Sequence, residues 1–198
     1  MNKNIILCGV GGQGTVLASK LISSVAMEKG LRVMSAETIG MSQRGGSVFS
    51  HIRIGEGIQT PMIEEGEADI ILAFEPGEAV RMLPYLKADG QMIVSSKEVM
   101  PVMSTLSGSD YQGKEMLDYL AMKVKDLIIV NTEEACQKIG TTKALNVFLL
   151  GVAVSGGMLG ITEEELKEII RKKVPEKFHE LNFKALEYAK EYGKREEM

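Results

Sequence analysis

The feature that most constrains this chain is its opening. The apolar run Ile5-Ile6-Leu7-Cys8 passes into Gly9-Val10-Gly11-Gly12-Gln13-Gly14, and Val16, Leu17, Leu21, Ile22 and Val25 then recur at helical spacing. A short, continuous apolar run reads as a strand covered on both faces, so the glycines must be the turn that carries the chain into a covering helix. Gly30 stops that helix, and residues 31–36 (LRVMSA) read as a second strand. Together they form a βαβ unit that a right-handed crossover would make parallel.

The same alternation continues. SVFSHIRI (47–54) reads as extended, and DIILAF (69–74) as a buried strand ending at Glu75-Pro76-Gly77. A helix over 78–86, a turn at Asp89-Gly90 and a strand over 91–94 follow. Residues 101–113 read as irregular, 114–122 as helix and 127–130 (LIIV) as another buried strand. From Thr141 onward no strand pattern occurs. Residues 144–160 read as a buried helix, Thr162 with Glu165 as a capping box for a helix over 163–173, and 176–192 as a last amphipathic helix after Pro175. The expected fold is α/β: a three-layer, doubly wound, mostly parallel, Rossmann-like sheet with a helical C-terminal region. One domain over 1–198 is expected, divided into an α/β core over about 1–140 and a helical tail over about 141–198.

Composition narrows the function classes. With 23 basic and 27 acidic residues the net charge is −4, so nothing electrostatic draws the chain to nucleic acid or an anionic membrane. Two cysteines, Cys8 and Cys136, cannot supply four-thiolate zinc or an iron–sulfur cluster. The thirteen methionines read as core filler rather than a metal site. The first residues reach glycine too soon for a signal peptide. The longest apolar stretch, Ala144 to Gly160, is interrupted by Asn146 and Ser155 and falls short of the ~20 residues that span a bilayer. A cytoplasmic protein is expected.

The chemistry concentrates in two loops. Gly9, Gly11 and Gly14 match G-x-G-x-x-G, with Gly12 as an extra glycine. Such a turn aims backbone N–H groups and a helix dipole at whatever lies above the strand ends, favouring phosphate or carboxylate. Glu37 follows at about the place where a dinucleotide ribose would be read. Nicotinamide or flavin binding, an acyl or nucleotide phosphate site, and a purely structural turn therefore all stay open. The second loop, Gly40-Met41-Ser42-Gln43-Arg44-Gly45-Gly46, puts a guanidinium between glycines, an anion cradle or else a solvated arginine. His51 and Arg53 alternate with Ile52 and Ile54 and share a strand face. No G-x-S-x-G or H-E-x-x-H motif occurs, so no catalytic residue is assigned, and no metal ligand.

GVGGQG at 9–14 together with GMSQRGGSVFSHIR at 40–53 resembles the gamma domain of the 2-oxoacid:ferredoxin oxidoreductases. EPGEAVRMLPYL at 75–86 and VPEKFHELNFKALEYA at 174–189 extend the likeness over nearly the whole chain, and Gly40-Met41-Ser42-Gln43 points to the arylpyruvate (indolepyruvate) branch. The resemblance implies a small subunit, inactive alone, of a complex that converts an arylpyruvate, coenzyme A and oxidised ferredoxin into aryl-acetyl-CoA, carbon dioxide and reduced ferredoxin. It implies that thiamine diphosphate, magnesium and iron–sulfur clusters lie in a large partner subunit, with a homodimer open to the isolated chain. Gly9, Gly11, Gly12, Gln13, Gly14, Ser42, Gln43, Arg44, Gly45 and Gly46 would then hold the anionic part of coenzyme A or pack against the partner. The alternatives are a non-catalytic assembly or nucleotide-binding module, or a free-standing NAD or flavin oxidoreductase.

Overall fold

The computed structural model describes residues 2–38, 45–100 and 111–195. Six strands, β1 (Lys3–Val10), β2 (Val33–Thr38), β3 (Ser47–Ile54), β4 (Ala68–Ala73), β5 (Leu86–Ser95) and β6 (Asp126–Val130), form one sheet in the order β2-β3-β1-β4-β5-β6. The seven described helices are α1 (Thr15–Glu28), α2 (Pro76–Met82), α3 (Gly113–Lys123), α4 (Thr132–Ile139), α5 (Leu145–Ser155), α6 (Glu163–Lys173) and α7 (His179–Arg195). The pairs β1/β4, β4/β5 and β5/β6 are parallel.

Successive strand residues point to opposite faces, and the apolar runs divide accordingly. Ile5, Leu7, Ile52, Ile70, Leu72 and Ile93 face a core shared with α1 and α4 to α7, whereas Ile6, Cys8, Ile71, Ala73, Met92 and Val94 face α2 and α3. This is the expected three-layer arrangement. Most helix bounds agree with the apolar spacing within two residues, and the capping box forms as read, with Glu165 N–H donating to Thr162 Oγ1 at 3.2 Å.

Three local expectations are corrected. The βαβ unit is interrupted: β3 turns back antiparallel to β2 and inserts between it and β1, so β1 and β2 run alike but do not touch. β5 starts at Leu86, and Asp89-Gly90 is an irregularity within it rather than a turn. Gly90 is required there, because a Cβ would come 2.7 Å from Leu86 Cδ1 and 3.0 Å from the Ala68 carbonyl oxygen. Finally α2 starts at Pro76, earlier than expected, because proline suits the first helical position and the Glu75 side chain caps it. The methionines also divide: Met82, Met92 and Met158 are core, while Met27, Met62, Met100 and Met122 are exposed.

α5 is apolar on every side and buried from Asn146 through Val154. Its Gly151 lets α7 approach closely, since a Cβ would sit 2.7 Å from Ala189 Cβ and 3.0 Å from Leu186 Cδ2. α7 is fastened further by Tyr192, whose hydroxyl donates to the Ile129 carbonyl at 3.2 Å and accepts from Asn131 N–H at 3.1 Å.

His51 and Arg53 do share a face. His51 is 1% exposed; its Nδ1 accepts from Ile63 N–H at 2.9 Å and its ring meets Tyr85 edge-on. Arg53 donates to Asn4 Oδ1 at 3.1 Å and to the Thr60 and Met62 carbonyls at 3.3 Å each. Both residues therefore staple the crossover between β3 and β4. Neither faces the glycine loop.

Two outcomes are expected. Gly151→Ala should destabilise the chain by about 1–3 kcal/mol in urea denaturation, as overpacking between α5 and α7 requires. Burial lowers the His51 pKa from the ordinary 6.5, so the unfolded chain binds the proton first as pH falls. Stability should then be complete above about pH 6.5 and decline as pH falls from there towards the folded value. Urea midpoints measured across that interval should flatten in His51→Gln.

Candidate functional site

The winding of the sheet reverses between β1 and β4, and a crevice opens at their carboxyl ends, where doubly wound sheets bind ligands. One wall is the glycine loop. Gly12 and Gly14 take φ of 101° and 85°, values that favour glycine, and Gly14 begins α1. At Gly14 a Cβ would also lie 2.5 Å from Asn146 Nδ2, which donates instead to the Gly14 carbonyl at 3.3 Å.

Gln13 is a strut. Its Oε1 accepts from Val10 N–H at 2.7 Å, and its Nε2 donates to the Phe74 carbonyl at 2.8 Å. The side chain thus ties the end of β1 to the residue after β4. Gly9 makes room for it, since a Cβ there would be 2.6 Å from Gln13 Oε1.

The opposite wall comes from elements that the sequence reading left without a role. Ser95 ends β5 and Lys97 follows it, Thr132 opens α4, and Thr142, Lys143 and Asn146 surround the start of α5; with Gly12 to Gly14 they enclose a cavity of about 190 Å³. A second cavity of about 540 Å³ shares Lys97, Thr132 and Thr142 and continues to Cys136. α1 and α5 begin with no side-chain cap and no acidic residue in the first turn, while α2, α4 and α6 are capped by Glu75, Asn131 and Thr162. Two uncapped helix starts and two exposed lysines form a local positive site in an acidic chain, suited to phosphate or carboxylate. The legible signal was the pair Ser-Ser-Lys after a strand and Thr-Thr-Lys before a helix.

The two expected loops meet. Gly11 N–H donates to the Gly46 carbonyl at 2.9 Å, and Gly45 takes φ of 84° as the chain enters β3. Gly45 and Gly46 flank the glycine loop from the β3 side, away from the crevice. Ser42, Gln43 and Arg44 lie outside the described residues.

Glu37 is placed differently from a dinucleotide acid. It lies on β2 opposite Ser50, with β3 between it and β1, so its strand is two spacings of ~4.8 Å from the glycine loop. It lines a separate groove with Lys20 and Ser35. Cys8 is fully buried, and burial first, then the Glu78 and Glu75 carboxylates, push its thiol well above the usual value. It is a core residue, without nucleophilic character at neutral pH. Among the described residues no group of three or more His, Cys, Asp or Glu side chains could hold a metal ion.

Removing the strut leaves a backbone donor and acceptor without partners. Gln13→Ala should cost about 1–3 kcal/mol in urea denaturation. Gln13→Glu, which keeps the acceptor for Val10 but sets an oxygen against the Phe74 carbonyl, should also destabilise. Unchanged midpoints would assign the loop's shape to the glycines alone.

The model of the pyruvate ferredoxin/flavodoxin oxidoreductase family matches residues 4–192. The chain is 37% identical over 187 residues to the indolepyruvate oxidoreductase subunit IorB of Archaeoglobus fulgidus, covering 94% of this chain and 92% of that one. It superposes on the gamma subunit of the keto/oxoacid ferredoxin oxidoreductase of Geobacter sulfurreducens with a TM-score of 0.70 at 23% identity, over 98% and 99% of the two chains. It also superposes on the 2-oxoglutarate:ferredoxin oxidoreductase of Magnetococcus marinus, a structure with 2-oxoglutarate, coenzyme A and succinyl-CoA bound, with a TM-score of 0.73 at 17% identity. That match covers 98% of this chain and 31% of the longer one. The likeness in sequence, together with a glycine loop facing a crevice at the switch point, establishes that this chain belongs to the pyruvate ferredoxin/flavodoxin oxidoreductase family.

Proposed function

We propose that the chain is the small subunit of a ferredoxin-dependent oxidoreductase for arylpyruvates, indolepyruvate among them, and supports their coenzyme A-dependent oxidative decarboxylation to aryl-acetyl-CoA. The observation that carries the substrate class is the 37% identity, over nearly its whole length, to a subunit named for indolepyruvate. A large cytoplasmic partner subunit supplies thiamine diphosphate, magnesium and iron–sulfur clusters, and ferredoxin acts through the complex. Without that partner the chain has no turnover, and a homodimer is open to it. Support for this division of labour comes from the site itself, whose two lysines and glycine turn suit the binding of an anion.

The crevice receives the anionic part of coenzyme A. The amides of Gly12 and Gly14, and of Asn146 at the start of α5, are assigned to the phosphates, and Lys97 and Lys143 neutralise them from the opposite wall. Ser95 and Thr132 add hydroxyls, bonded to each other at 3.1 Å. Arg44 is assigned a further donor set for the same phosphates, on its planar guanidinium alone. Coenzyme A supplies the thiol that accepts the acyl group; the residues of this chain hold and orient its phosphates.

The test is reconstitution with the large partner. Lys97→Ala with Lys143→Ala should raise the apparent KM for coenzyme A tenfold or more, on the order expected for two charge-assisted contacts. The KM for the arylpyruvate should stay near wild type. Arg44→Ala should move the coenzyme A value in the same direction. An unchanged KM for coenzyme A in the double variant would place the coenzyme elsewhere, and viologen reduction by the isolated chain would overturn the division of labour.

A further inference from the structure

Two buried carboxylates at the start of α2 are not among the cavity's lining residues, yet each grips a segment next to the site. Glu75 is 2% and Glu78 7% exposed. Glu78 Oε2 accepts from Ser47 Oγ at 2.5 Å, one residue after Gly46, whose carbonyl holds Gly11. Glu75 Oε2 accepts from Glu78 N–H at 2.9 Å, while its Oε1 accepts both from the Tyr111 hydroxyl and from Val99 N–H, the latter at 3.4 Å.

The Val99 contact matters because Lys97 sits two residues before it. Lys97 is carried on a short segment pinned at every step: its own N–H donates to Ser95 Oγ at 3.1 Å, Ser96 Oγ meets Thr132 Oγ1 at 3.2 Å, and Gly113 N–H donates to Glu98 Oε2 at 2.7 Å. Glu75 is the only one of these anchors that belongs to β4's end, next to Phe74, whose carbonyl holds Gln13. Adjacent residues therefore hold the glycine wall and the lysine wall. The separation between the two walls is set through them.

Tyr111 fixes the Glu75 carboxylate in this role. Its hydroxyl donates to Glu75 and accepts from Gly77 N–H at 3.0 Å, and Gly77 is small by necessity, since a Cβ there would meet that hydroxyl at 2.8 Å. Burial, and then the bond to Glu75, push the phenol above its ordinary value, so it remains a donor at every working pH.

We infer that Tyr111 and Glu75 are a positioning pair that holds Lys97 at the distance from the glycine loop at which the crevice grips a phosphate. The pair touches no ligand and acts through Lys97. This inference rests on the reading of the crevice as the coenzyme A phosphate site.

The experiment is a double-mutant cycle in the reconstituted complex, with coenzyme A as the probe. Tyr111→Phe should raise the apparent KM for coenzyme A about three- to tenfold, the effect of one mispositioned hydrogen bond, and leave kcat at saturation near wild type. In a Lys97→Ala background the same substitution should add less than about twofold, as coupled residues require. Glu75→Asp, which keeps the carboxylate but withdraws it, should follow the same pattern. An unchanged KM in Tyr111→Phe, or an equal rise in both backgrounds, overturns the positioning role and leaves the phosphate site standing. A Lys97→Ala variant with an unaltered KM overturns the crevice reading, and this inference with it.

Discussion

The site depends on one side-chain amide. Gln13 satisfies the N–H of Val10 and the carbonyl of Phe74, so a single residue spans the gap between β1 and β4 at the point where the sheet changes its direction of winding. Parallel strands that diverge there would otherwise leave two backbone groups facing a crevice with only water to answer them. With the amide in place the glycine loop has one shape, and the first turn of α1 points into the crevice. The glycines permit that shape; the glutamine selects it.

A wider polar network extends the same logic away from the crevice. Glu75, Glu78, Tyr111 and Ser47 are buried or partly buried groups whose hydrogen bonds are mutual, so none carries the cost of an unpaired polar atom. Rigid walls matter for an anion site in an acidic protein. The local positive field comes from two helix starts and two exposed lysines, and it weakens quickly if they drift apart.

Much of this was legible in the residues, for identifiable reasons. The strand-turn-helix opening, the buried α5 and the Thr162 capping box announce themselves through local periodicity and local hydrogen bonding, and local rules decide them. The insertion of β3 was not legible. An extended segment states that it will pair, but not with which neighbour, and β3's choice of both β1 and β2 removed Glu37 from the glycine loop. The crevice's second wall was hidden for the same reason. Lys97 and Lys143 are distant in sequence, and only the packing of β5, β6 and α5 against one another brings them to a common space. Gln13, expected with the glycines at an anion or partner surface, lines the cavity, and its side-chain amide bonds the backbone of Val10 and Phe74.

The contact between Asn146 and Gly14 joins residues 132 positions apart. Closing so long a loop is entropically unfavourable and slow compared with forming α1 or the β2–β3 hairpin. The crevice is therefore absent from any partly folded chain, including one still emerging from the ribosome, until α5 has docked on the sheet. A formed crevice is in this way confined to molecules that have completed their core.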